Sequence, residues 1–178
     1  MGRSTRINAA LVGSHLDECF VLNKWGSLAI LGAPRSPESW LAFGHTKNQG
    51  NAVSAGTLLN SHNYLTKGGA LLGAVPWVGN CQAFACASAS AIANVPGINT
   101  IELFSFGNAY TGHVFLVIDR DPLSAPAQPN NWGATALVVD MWHAIQQNSM
   151  VNCAYKPNSP YRNWLNGQAQ CNAKLQVQ

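Results

Sequence analysis

The sequence predicts an α+β fold in which an Ala-rich helix packs on an antiparallel sheet. Three observations predict it. Residues 81–93 (CQAFACASASAIA) are rich in Ala, the best helix former, with few bulky groups. Thr100–Phe106 (TIELFSF) alternates, and His113–Ile118 (HVFLVI) is a nearly continuous apolar, β-branched run, as in a strand buried on both faces. The helix comes first and the strands follow one another directly, an order that favours antiparallel pairing.

Taken in order, residues 17–32 (DECFVLNKWGSLAILG) read as two short strands or a helix–strand pair. Gly32, Pro34 and Pro37 then break the chain. Residues 44–56, rich in Gly, Asn and Ser, read as loop, Leu58 to Tyr64 as a short helix, and 68–79 as an irregular approach. The Ala-rich helix stops at Asn94-Val95-Pro96-Gly97. Its small side chains suit close packing against a sheet. Residues 119–133, with three prolines, read as a loop, and Ala136 to Trp142 as the next buried strand. From Gln146 onward the Asn-, Pro- and Gln-rich text predicts mostly loop, with one short helix near Tyr161 to Leu165. No repeat or low-complexity linker divides the chain, so residues 1–178 are expected to form a single domain.

Hydrophobic residues make up 47%, enough to exclude disorder. Charged residues make up only 10%, against ~25% in an average soluble domain. The net charge of +3 comes from scattered residues, so no nucleic-acid partner is expected. No apolar stretch reaches the roughly 18 residues that span a bilayer. Residues 1–10 are polar and lack the apolar centre of a secretory signal. The chain is therefore expected to stay inside, to leave by a route that reads no such signal, or to be a processed segment. Of the five cysteines none forms a CxxC pair, which gives zinc or redox chemistry little support. No metal or organic cofactor is expected. A bridge between Cys153 and Cys171 stays open as the less favoured arrangement.

The informative constellation is a Cys at a helix start, a His at a strand start and an Asp at a strand end. Cys81 follows Gly79 and Asn80 and opens the Ala-rich helix. The partial positive charge of a helix N-terminus stabilises a thiolate. The N–H groups of that turn, Gln82 among them, can bind a developing oxyanion, and Gly79 would let a substrate approach the backbone. His113 follows Gly112 and opens the apolar strand, where it can take and return a proton as general base. Asp140 ends Leu137-Val138-Val139 and is expected beside His113 across two antiparallel strands, ~5 Å apart at Cβ, where it would orient the imidazole. The other carboxylates fit less well: Asp119 lies ~20 Å along the His113 strand, Asp121 sits in the loop beyond, and Asp17, Glu18 and Glu38 precede the cysteine.

Each residue alone also reads as structure: a buried small thiol, a strand-edge histidine, an aspartate capping a turn. Cys86 is best read in that way. Their joint order and placement favour the chemistry. His143 is the rival base, His45 and His62 are weaker rivals, and His15 is expected at the surface.

The segments Gly79-Asn80-Cys81-Gln82-Ala83-Phe84-Ala85, Gly112-His113-Val114-Phe115-Leu116-Val117-Ile118 and Leu137-Val138-Val139-Asp140-Met141-Trp142 resemble the Cys–His–Asp core of papain-like bacterial effector and toxin cysteine hydrolases, proteases and glutamine deamidases among them. The resemblance spans residues 79 to 142, and Met141 stands where that group commonly has Pro before Trp142. It implies a papain-like core and attack on an amide carbonyl through a thioester. Cys81, His113 and Asp140 would be catalytic, with Gly79, Asn80, Gln82, Gly112 and Trp142 in the oxyanion and substrate-binding set. Asn60 and Asn63 are alternative oxyanion side chains. The implied partners are a protein substrate in a target cell and an immunity or chaperone protein, reached by signal-independent secretion. The Pro-rich loop 119–133, longer than a compact hairpin, is placed to overhang the site. A peptidoglycan amidase, a transglutaminase-like acyl transferase and a non-catalytic binding module stay open as alternatives.

Overall fold

The computed structural model describes residues 7–22, 61–72, 81–106, 113–146, 153–158 and 169–176. These form helices α1 (Ala9–Leu22), α2 (Ser61–Leu72), α3 (Cys81–Ile92) and α4 (Met141–Gln146), and strands β1 (Thr100–Phe106), β2 (His113–Ile118), β3 (Leu137–Val139), β4 (Ala154–Tyr155) and β5 (Gln170–Gln176). The strands make one antiparallel sheet in the order β4-β3-β2-β1-β5. The fold is α+β.

The sheet is buried on both faces. Ile101, Leu103, Leu116, Ile118, Leu137 and Val139 meet Val12 and Leu16 of α1 and the apolar side of α3. Phe104, Phe115, Val117 and Val138 form a second core with Trp132, Ala136 and Tyr155. Two-sided burial explains why β2 reads as an unbroken apolar run.

Residues 17–22 are helical, the C-terminal part of α1, as in the helix–strand reading, while 23–32 lie outside the described residues. Three expectations need correction. The helix expected at Leu58 to Tyr64 runs instead from Ser61 to Leu72, through Gly68 and Gly69. Those glycines allow close approach: a Cβ on Gly68 would stand 2.0 Å from the carbonyl oxygen of Cys86. The small residues of α3 thus serve a helix–helix contact as well as the sheet. The strand expected at Ala136 to Trp142 stops at Val139, because Asp140 caps a helix, accepting the N–H of His143 on Oδ1 at 2.9 Å. Finally, the C-terminal text holds two strands. The seven-residue β5 pairs with β1 at six positions, with a bulge opposite Leu103 and Phe104. The helix expected near Tyr161 lies outside the described residues.

Cys153 and Cys171 are not bridged to each other; all five cysteines are thiols. The loop after β2 is pinned down. Arg120 makes a two-pronged ion pair with Glu102, at 2.6 and 3.0 Å, and also bonds the carbonyl and hydroxyl of Ser124. The Trp132 ring packs on Phe104 at 4.9 Å, and its N–H bonds the carbonyls of Ala125 and Pro126. Through Trp132 this loop contributes to the second core.

Candidate active site

Cys81 is the first residue of α3, His113 the first of β2, and Asp140 the residue between β3 and α4. The β2–β3 register pairs Leu116 with Val139, so by extension Asp140 lies across from Phe115. It therefore reaches His113 diagonally along one face, not directly across as expected. The side chains meet all the same: Asp140 Oδ2 lies 2.6 Å from His113 Nε2. His113 is 8% exposed and Asp140 2%.

With Nε2 on the carboxylate, Nδ1 is the nitrogen left to serve the thiol. Cys81 is half-buried and hydrogen-bonds the His113 ring. Burial works against a thiolate here. The hydrogen bond and charge of His113, with the backbone N–H groups of Val114 and Gln82, outweigh it and hold the thiol below its ordinary value. Burial alone would likewise favour the neutral imidazole. The Asp140 hydrogen bond, then the Cys81 hydrogen bond and the two negative charges, push His113 up to about 9. Both shifts run toward a thiolate–imidazolium pair.

Aromatic rings flank the imidazole. Phe115 stacks at 6.1 Å with planes 15° apart, and Trp142 lies at 5.1 Å, tilted by 43°. Trp142 belongs to the site's wall. Gln82 belongs to it through its backbone N–H, which reaches the Cys81 sulfur. Gly79, Asn80 and Gly112 lie outside the described residues, as do Asn60 and His45; Asn63 and His62 lie in α2 and their side chains are outside the described ones.

Other described histidines and carboxylates make the following bonds. His143 gives its backbone N–H to Asp140. His15, expected at the surface, is half-buried and bonds the carbonyl of Ala91 through Nε2 at 2.9 Å. Asp119 accepts the N–H groups of Asn99 and Thr100. Asp121 accepts that of Leu123, and Glu102 holds Arg120. Sequence reasoning missed Phe115, the Val114 N–H and the Cys153 carbonyl that accepts the Asp140 N–H at 2.7 Å. Only Phe115 leaves a signal: it lies two positions from His113 on the same strand face.

Among the described residues no group of three or more His, Cys, Asp or Glu side chains is placed to hold a metal ion. No helix among them is long and apolar enough to cross a membrane. No protein-family model, no curated protein and no solved structure matches the chain.

Proposed function

We propose that this chain is a thiol amidohydrolase with a papain-like core, of the bacterial effector and toxin type. It would hydrolyse a Gln or Asn side-chain amide, or a peptide bond, in a target-cell protein. The observation that carries the reading is the polar line from the Cys81 thiol through the His113 ring to Asp140, 2.6 Å away from that ring. A structural thiol has no need of an imidazole that is itself held by a buried carboxylate.

The chemistry follows from the pair. The Cys81 thiolate attacks the amide carbon, and the carbonyl oxygen takes the electron pair. N–H groups at the tip of α3 stabilise that oxyanion. The His113 imidazolium gives its Nδ1 proton to the leaving nitrogen, so ammonia or an amine departs and a thioester stays on the sulfur. The neutral ring then takes a proton from water as it attacks the thioester. The new carboxylic acid leaves, and the thiolate–imidazolium pair returns. Asp140 keeps the ring proton on Nε2 and stabilises the imidazolium. Turnover rises with pH as Cys81 ionises below its ordinary range and falls as His113 loses its proton near about 9. The short stretch between Cys81 and His113 leaves little room for a second lobe, which favours a side-chain amide over a long peptide cleft.

The test is mass spectrometry of a target-cell lysate exposed to the protein or to Cys81→Ala. An amide-to-acid mass gain on one Gln or Asn, seen only with the unsubstituted protein, is the expected result. A new chain terminus would instead mark proteolysis. Identical lysates would overturn the enzymatic reading.

A further inference from the structure

We propose that Cys153, a buried thiol that the chemistry above does not use, is a positioning residue for the Cys81–His113–Asp140 site. The inference rests on that reading of the site. Asp140 has one backbone donor, and it is given to the Cys153 carbonyl at 2.7 Å. This bond extends the β3–β4 ladder by one step beyond Val138–Tyr155 and Val139–Ala154. β4 itself has two residues and lies at the sheet edge, too short to fix a neighbour by its own ladder.

Side-chain packing holds the strand instead. Cys153 is 0% exposed and shares a core with Val12 and Leu16 of α1 and with Met141 and Ala144 of α4. Its sulfur lies 3.9 Å from the carbonyl oxygen of Gly13, and a Cβ built on Gly13 would stand 3.7 Å from it. Helix backbone thus closes the space beside the thiol. A larger side chain at position 153 has to move either α1 or the strand, and close-packed interiors pass such a shift on. The strand holds Asp140 through the Cys153 carbonyl, and the 2.6 Å bond of Asp140 raises the pKa of His113, which in turn lowers that of Cys81. A displacement of about 1 Å at such a bond is enough to lose the site's alignment.

The test compares Cys153→Leu with Leu175→Ala. Leu175 is also fully buried, but it pairs with Ile101 at the end of β1 remote from the Phe106–His113 pair. Both variants should unfold at lower denaturant. Iodoacetamide labelling of Cys81 is followed against pH, with the Cys81 peptide read by mass spectrometry so that other thiols do not contribute. Cys153→Leu should return the apparent Cys81 pKa toward the ordinary ~8.5 and slow labelling at pH 6 at least about tenfold. Leu175→Ala should keep the parent curve. A folded Cys153→Leu with the parent curve would overturn the inference, and so would an equal shift in Leu175→Ala. If Cys153→Leu does not fold, Cys153→Val carries the same comparison. An ordinary Cys81 curve in the unsubstituted protein would instead sink the reading of the site itself, so the two failures are distinct.

Discussion

Two hydrogen-bond donors converge on Asp140. The His143 N–H takes Oδ1 at 2.9 Å and His113 Nε2 takes Oδ2 at 2.6 Å. A carboxylate accepts on both oxygens, whereas an amide accepts on one and donates from the other. Asp140→Asn therefore cannot serve both partners. If its oxygen keeps the helix cap, its NH2 faces Nε2, and the ring must carry its proton on Nδ1, toward the sulfur. That tautomer cannot take a proton from the thiol. Turnover should fall on the order of 10³-fold or more, and nitrogen NMR of His113 should show the proton on Nδ1. If the oxygen turns to His113 instead, α4 loses its cap, which costs about 1 kcal/mol and reads out as a lower unfolding midpoint. An active variant of unchanged stability would contradict the shared-acceptor geometry. A sequence that places an aspartate after an apolar run allows a cap or a catalytic partner as its role; here one side chain makes both contacts, which no pattern of residue types separates.

At the scale of elements, α2 and α3 meet backbone to backbone. Gly68→Ala would gain about 1 kcal/mol of helix propensity but put a Cβ 2.0 Å from the Cys86 carbonyl oxygen. Overpacking of that kind costs about 1–3 kcal/mol, so chemical denaturation should show a net loss; a stabilised variant would mean that the helices separate freely. This contact was illegible in the sequence, since paired glycines ordinarily argue against a helix. The strands differ in the same respect. β2 was legible to the residue because both its faces are buried and its composition has one explanation. β5 (QCNAKLQ) was not, because it lies at the sheet edge and exposes Gln170 and Lys174. Its register comes from β1, a partner distant in sequence. Cys81, His113 and Asp140 could be singled out because each stands at the end of an element legible on its own. The diagonal reach from Asp140 to His113 could not be, because it depends on a register that only the folded sheet sets.

Across the whole molecule, the sheet separates two cores, and the second holds a buried ion pair. The Glu102 and Arg120 side chains are 4% and 7% exposed, and the guanidinium also lies 5.7 Å from the centre of the Phe104 ring. Arg120→Met would leave a buried carboxylate without its partner, which costs about 3–5 kcal/mol. Replacing Glu102 with Leu in the same chain should recover much of that loss in an unfolding titration. Failure of the double variant to recover would show that the Arg120 bonds to Ser124 matter more than the pair. His113 stands at the opposite end of β2 from Arg120, so both variants should keep the reactivity of Cys81 wherever they remain folded.

The thiolate–imidazolium pair is tested most directly by labelling Cys81 with iodoacetamide as a function of pH, in the unsubstituted protein and in His113→Ala. With the pair intact, labelling stays fast below the ordinary thiol range of about 8.5, and His113→Ala moves the whole curve up toward that range. A Cys81 that reacts as an ordinary thiol, or that reacts identically with and without the imidazole, would contradict it.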